Sequence, residues 1–300
     1  MKPVKSTKGL KAQLKKTAEN AHGAGQTRYA RKSKVGLLDA YFKKHNIQIT
    51  QVDQIKGKYI AGYIAERLAQ GLSKRTLQND MVAIRQTLRT AGRDKLANSD
   101  QISNKALGLS GASRKGTKVA ITDKQYAEIH QRALQKDPGH AALLELARTY
   151  GLRGEEAVQS CQSLKTWKAA IESGATAIKV IFGTKGGKPR DTLIIDRQRA
   201  LNAVNNAIWI AEQRNGKLID KPTLKQAMTY WRNSCSAIGL KGQISAHSLR
   251  YAFTQDAIDY YLQQGYTKQE ALALTSMDLG HGDLRGRFVK SVYGLKTHER

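Results

Sequence analysis

Leu146-Ala147-Arg148-Thr149-Tyr150-Gly151-Leu152-Arg153-Gly154-Glu155-Glu156 is the stretch on which the reading of this chain turns. Apolar Leu143, Leu144 and Leu146 mark a helix that ends near Tyr150-Gly151. Arg153 follows directly, and Glu156 stands one helical turn later. An arginine and a carboxylate so spaced can meet on one face.

Upstream, Thr122 and Gln125 have capping-box spacing ahead of another helix, so a second domain is expected to start near Thr122. Downstream, Ala177 to Gly183 reads as a strand, Thr184-Lys185-Gly186-Gly187-Lys188 as a turn, and Asp191 to Asp196 as a second strand. Helical patterns follow at about 198–213, 223–237, 248–264 and 268–278, the last opened by a second capping box, Thr267 with Glu270. His247 and Arg250 are three apart, so one helix face presents both. His281 follows Leu279-Gly280, and Tyr293 stands beyond it. Each feature is weak alone; their order and placement carry the signal.

The front of the chain is different in character. Residues 1–120 carry 25 basic and 7 acidic side chains, and they hold most of a net charge of +27. Such an excess repels itself unless a polyanion neutralises it, so nucleic acid is the expected partner. Residues 1–25 are Lys-rich with little apolar periodicity and read as a mobile basic arm. Residues 26–97 read as a helical bundle. Val35, Leu38, Tyr41 and Phe42 share one helical face, as do Ile55, Tyr59, Tyr63 and Ile64, and then Leu77, Met81, Ile84 and Leu88. The opposite faces carry Lys74, Arg75, Arg85, Arg89 and Arg93, nearly all of one sign, which favours phosphate contact. Residues 98–120 read as a linker and 121–300 as a mostly helical second domain with a small sheet. The fold class expected is therefore mainly α with a small β-sheet.

No apolar run approaches the roughly 18 residues of a membrane span, and no apolar stretch follows the charged start, so a cytoplasmic protein is expected. Cys161 and Cys235 are isolated, without metal-ligand spacing, and read as reduced thiols. No G-x-x-x-x-G-K-[ST] loop is present, and no acidic cluster suggests a two-metal nuclease. Neither a cofactor nor a metal is expected. Tyr260, Tyr261 and Trp231 read as core residues of their helices.

The ordered set resembles the tyrosine recombinase (phage integrase) family. The 146–156 stretch looks like that family's first arginine motif, and Phe182-Gly183-Thr184-Lys185-Gly186-Gly187-Lys188 looks like its β-hairpin lysine. His247-Ser248-Leu249-Arg250 resembles its second motif, Leu279-Gly280-His281-Gly282-Asp283 its third, and Tyr293 falls where the nucleophile belongs. Ser73-Lys74-Arg75-Thr76, opening a helix, is similar to a loose motif of the family's core-binding domain. The resemblance thus implies an N-terminal helical core-binding domain and a C-terminal catalytic domain. Three departures stand out: a long gap from His281 to Tyr293, Tyr150 in place of a small threonine, and only seven residues after Tyr293, without a long docking tail.

What the resemblance implies is site-specific DNA recombination through a 3′-phosphotyrosine intermediate, in the integration or excision of a mobile element. Arg153, Lys185, His247, Arg250, His281 and Tyr293 would be the catalytic set. Arg153 and Arg250 would hold the non-bridging phosphate oxygens, because a planar guanidinium donates two parallel hydrogen bonds. Lys185, preferred over Lys188, would protonate the 5′-oxygen leaving group, the other lysine contacting backbone phosphate. His247 would serve in proton transfer and His281 would hydrogen-bond the phosphate, with Glu156 orienting Arg153 or His247. Lys74, Arg75, Arg85, Arg89 and Lys188 would contact DNA. The implied partners are double-stranded DNA, three further copies in a homotetramer, and accessory DNA-bending or directionality proteins. Two other readings stand beside it: a type IB topoisomerase-like relaxing enzyme, and a relative that binds DNA without reacting. A basic RNA-binding protein would explain the charge but not the ordered set.

Overall fold

The computed structural model describes residues 9–113 and 115–294. The chain divides into two compact units, Met1–Ser113 and Arg114–Arg300.

Five helices are described in the first unit: α1 (Leu10–Asn20), α2 (Gly25–Lys44), α3 (Gly57–Ala69), α4 (Lys74–Thr90) and the short α5 (Asp94–Ala97). The apolar periodicity is what buries them. Val35, Leu38 and Phe42 of α2 and Leu77, Met81, Ile84 and Leu88 of α4 meet in one core. The Ser73 hydroxyl accepts the Thr76 amide at 3.2 Å and so starts α4.

Two expectations change here. Within the presumed arm 1–25, Leu10–Asn20 is a helix packed on α2 and α4. Leu10, Leu14 and Ala18 recur every fourth residue and are buried, a stripe masked in composition by the lysines around it. Residues 1–8 lie outside the described residues. The presumed linker 98–120 is also shorter than expected. Ile102, Leu107 and Leu109 complete the first core, and Ala120 and Ile121 belong to the second. Leucine and isoleucine spaced among polar residues carry too little periodicity to show this in sequence.

The second unit holds α6 (Asp123–Lys136), α7 (Pro138–Tyr150), α8 (Gly154–Gln159), α9 (Leu164–Glu172), β1 (Ala177–Val180), β2 (Arg190–Leu193), α10 (Arg197–Glu212), α11 (Leu224–Ala237), α12 (Ala246–Gln263), α13 (Lys268–Asp278) and α14 (Gly286–Tyr293). The molecule is thus mainly helical with a small antiparallel sheet, in which Ala177 faces Leu193 and Val180 faces Arg190. α7 is the central element, packed against α6, α8, α10 and α12. Its Leu143, Leu144 and Leu146 are fully buried, so truncating any one to Ala costs about 2–5 kcal/mol. Asp137 and Pro138 start it: the Asp137 carboxylate accepts the Gly139 amide at 2.9 Å.

The capping boxes at Thr122 and Thr267 form as expected, and Thr223 with Gln226 makes another that the sequence reading missed. The strands are shorter than 177–183 and 191–196. Gly183 adopts φ +71°, which ends the pleat, and a methyl group there would lie 2.5 Å from the Glu155 carbonyl oxygen. That glycine lets the β1–β2 connection press against the start of α8. Helix α14 was not anticipated; its signal is the pair Val289 and Tyr293, four apart and both buried.

Candidate active site

The first arginine motif folds as a helix end followed at once by a helix start. Gly151 closes α7 with φ +59°, and a methyl there would meet the Phe253 ring at 2.4 Å. Arg153 is the N-cap of α8. Its amide donates to Glu156 Oε2 at 2.8 Å, and its Nη1 donates to Glu156 Oε1 at 2.6 Å. The arginine is thereby locked by a carboxylate from its own first turn.

Arg250 lies on α12 and is 0 % exposed. Its Nη1 donates to the Gly151 carbonyl and its Nη2 to the Leu279 carbonyl. Arg153 Nη2 donates to that same Leu279 oxygen at 3.0 Å. Backbone from the third motif is thus held by arginines from the first and second. Arg250 Nε points at the Tyr293 hydroxyl, 3.5 Å away.

Tyr293 ends α14 with its ring buried among aromatic neighbours. Its hydroxyl shares a 3.1 Å hydrogen bond with His281 Nε2. Tyr251 packs on it at a centroid distance of 4.5 Å and His247 at 6.0 Å. His247, Arg250, His281 and Tyr293 are brought together although Tyr293 stands 46 positions after His247. The long segment between His281 and Tyr293 is taken up by a turn, with Leu284 at φ +62°, and then by α14.

Lys185 and Lys188 lie in the β1–β2 connection and are exposed. Both line a cleft of about 500 Å³ together with Arg153, Arg190, His281 and Asp283. The cleft is thus lined by both candidate hairpin lysines.

The electrostatics follow from burying one carboxylate among arginines. Burial alone would raise the Glu156 carboxyl, but the Arg190 charge and hydrogen bond, Arg250 and the Arg153 amide outweigh it and hold it at about 2. Desolvation, and then the charge of Arg190, lowers Arg250 to about 10, so it stays cationic at neutral pH. Burial, then Arg250 and Arg153, push His281 down to about 3. His247 is exposed at the surface, yet desolvation by the surrounding protein, together with Arg250 and Arg153, pushes it down to about 4. Both imidazoles are neutral at pH 7. Arginine cations outnumbering the carboxylate make a seat for an anion, next to neutral imidazoles that can accept a proton.

Sequence reading missed Arg190, Asp278 and Tyr251. Arg190 had a signal: it alternates with Thr192 on the buried side of β2. In the first unit Lys74, Arg75 and Arg89 are exposed. Arg85 instead donates to the Ile102 carbonyl at 2.5 Å and to Asn104 Oδ1 at 2.9 Å. Arg93 holds the carbonyls of Val52 and Ile55 at 3.0 and 3.1 Å. Those two guanidiniums brace loops.

Two family models match the chain: "Integrase" over residues 108–256 and "Phage integrase, N-terminal" over residues 7–97. No curated protein matches by sequence. Among solved structures, a lambda integrase dimer bound to a COC′ core site is similar at 18% identity and TM-score 0.59, covering 98% of this chain and 79% of that one. The Tn1549 transposon integrase in complex with transposon right end DNA is similar at 12% identity and TM-score 0.59, covering 97% and 96%. The XerH site-specific recombinase bound to a palindromic difH substrate is similar at 19% identity and TM-score 0.59, covering 97% and 82%. At these identities the structural likeness establishes the shared fold.

Proposed function

Because this chain belongs to the tyrosine recombinase (phage integrase) family, we propose that it cleaves and rejoins double-stranded DNA at specific sites through a 3′-phosphotyrosine link at Tyr293, serving the integration or excision of a mobile element. The observation that carries this reading is the meeting of the Tyr293 hydroxyl with His281 Nε2 at 3.1 Å and Arg250 Nε at 3.5 Å.

The chemistry balances without an external energy source. The Tyr293 oxygen attacks phosphorus, the bond from phosphorus to the 5′-oxygen breaks, and a phosphotyrosine ester replaces a phosphodiester. The phenolic proton leaves to an imidazole. A phenol of pKa about 10 needs such an acceptor or a strongly cationic site. His281 stands within reach of that proton, and His247 stands beside the ring. The leaving 5′-oxygen takes a proton from Lys185, or from Lys188 if that lysine enters the cleft. Arg153 and Arg250 stabilise the equatorial oxygens; removing one such donor costs about 10²–10³ in rate. The reverse attack by a DNA hydroxyl rejoins the strand.

Lys74, Arg75 and Arg89 supply exposed cations for phosphate contact. Recombination of two duplexes needs four copies acting in pairs, so a homotetramer on DNA follows from the reaction, with accessory bending or directionality proteins as further partners. Among the described residues no helix is long and apolar enough to cross a membrane. The place of action proposed is the cytoplasm.

Incubation with paired attachment-site duplexes tests the reading. Recombinant products support it. Relaxation of supercoiled DNA without recombinants would instead favour a type IB topoisomerase-like enzyme, and tight binding with neither product would favour a relative that binds without reacting.

A further inference from the structure

Arg190 is a buried arginine in the middle of the second unit, 7 % exposed. Its Nη2 donates to Glu156 Oε2 at 2.9 Å and to the Gly151 carbonyl at 3.4 Å, and its Nη1 donates to the Asp278 carbonyl. It therefore joins three separate segments: the first arginine motif, the first residue of β2, and the end of α13. Gly280 leaves room for its stem, since a methyl there would lie 2.6 Å from Arg190 Cδ. Leu193, on the same strand, donates its amide to Asp278 Oδ1 at 3.1 Å, so β2 is fastened to α13 twice.

The acceptors of this guanidinium are Glu156 and the Gly151 and Asp278 carbonyls. It is placed to hold Glu156. That carboxylate in turn grips Arg153 through both its oxygens, and it lies 3.9 Å from Arg250 Nη1. We propose that Arg190 is a positioning residue for the cleavage reaction: it fixes Glu156 in the one orientation that presents the Arg153 guanidinium to the cleft and keeps Glu156 from closing on Arg250. This rests on the reading of the reaction given above.

The fork is what the place requires. Three acceptors, two from the first arginine motif and one from the end of α13, need a planar group with several fixed donors, and an ammonium point charge cannot span them. Without Arg190, Glu156 keeps Arg153 and Arg250 as its only cations and is drawn toward the buried one. The phosphate seat then loses the use of both arginines together. Groups that orient direct contacts in this way typically matter by roughly 10- to 100-fold in activity.

The test compares wild type, Arg190→Gln, Arg190→Lys, Glu156→Gln and the Arg190→Gln/Glu156→Gln double variant. Single-turnover formation of the covalent adduct on a nicked suicide duplex is measured beside equilibrium DNA binding and the thermal midpoint. Arg190→Gln is expected to slow adduct formation roughly 10- to 100-fold while DNA affinity stays within a few-fold. Arg190→Lys is expected to fail to rescue the rate. Because Arg190 acts through Glu156, the double variant is expected to react within about twofold of Glu156→Gln alone. Wild-type rates in Arg190→Gln, or in Arg190→Lys should the glutamine variant not fold, would overturn the role. So would losses that multiply in the double variant, or a parallel fall in affinity and midpoint that accounts for the rate. Failure of the wild type itself to form an adduct would overturn the proposed reaction, a distinct result.

Discussion

The Tyr293 hydroxyl and His281 Nε2 lie 3.1 Å apart, joined by a hydrogen bond inside the second unit. Twelve residues separate them in sequence, and α14 folds that distance back on itself. The Tyr293 ring is 3 % exposed, so in the DNA-free protein the proposed nucleophile is stored against its own site. Its hydroxyl also faces Arg250 Nε, a donor that a phosphate would use. In the proposed reaction, DNA enters a seat that the tyrosine already occupies.

The histidines in this seat should stay neutral. His281 is pushed down to about 3 and His247 to about 4, from an ordinary 6.5, chiefly by burial and then by Arg250 and Arg153. These are depressed values, so the stability they contribute is present above pH 6.5 and is lost as pH falls toward 4. Imidazole resonances of DNA-free protein recorded from pH 8 to 5 should show neither ring titrating. A midpoint near 6.5 for either would contradict the electrostatic picture.

Glu156→Gln should be costly. The carboxylate is wholly buried, and its removal leaves Arg190 and Arg250 without their buried counter-charge. Breaking such a pair costs about 3–5 kcal/mol. Its folded value, held at about 2 against an ordinary 4.5, puts the stability it contributes above pH 4.5, with loss as pH falls toward 2. Denaturant melts from pH 7 to 3 should show wild type losing stability in that acid window and the variant losing less. Equal curves would count against the arginine cluster as drawn.

Asp278→Asn should act the other way. Burial pushes Asp278 up to about 6 from 3.8, and Tyr261, the Leu193 amide and Arg190 only partly offset it. A raised carboxyl contributes stability below pH 3.8 and loses it as pH rises through about 6. Asparagine can still accept the Leu193 amide while carrying no charge. At pH 7.5 the variant should therefore be more stable, by about 1–3 kcal/mol at one unit per 1.4 kcal/mol. A less stable variant with an unchanged pH profile would show that the charge of Asp278 is wanted.

What the sequence made legible was local. Arg153 with Glu156, and His247 with Arg250, are set by helical spacing, and the capping boxes at Thr122 and Thr267 are read within four residues. Arg190 escaped because its partners, Gly151, Glu156 and Asp278, lie 34 to 88 residues away and only the fold brings them to it. Arg85 and Arg93 were read as phosphate contacts for the same reason in reverse: a basic helix face does not reveal that loop carbonyls already claim its guanidiniums. Helix α1 was hidden by composition, since a stripe of Leu10, Leu14 and Ala18 is thin against the lysines.

Gly116→Val should separate binding from reaction. The Gly116 amide donates to the Ser291 carbonyl at 3.3 Å, and a methyl at this position would lie 1.9 Å from the Val292 carbonyl oxygen and 2.5 Å from the Tyr251 hydroxyl. A bulky residue must push this segment off α14, the helix that seats Tyr293. Adduct formation is expected to fall at least about tenfold, as for other groups that orient a reacting side chain, with DNA affinity kept. Unchanged adduct formation would mean that the segment does not hold α14 in place.

The central claim is that Tyr293 carries the DNA. Wild-type protein and Tyr293→Phe are each incubated with an attachment-site duplex nicked beside the cut, so that a cleaved strand diffuses away. Denaturing gels then score the adduct, and peptide mass spectrometry locates the attached nucleotide. The expected result is an adduct from wild type mapped to Tyr293, and DNA binding without any adduct from Tyr293→Phe. An adduct from Tyr293→Phe, or a wild-type nucleotide mapped to another residue such as Tyr251, would contradict the account.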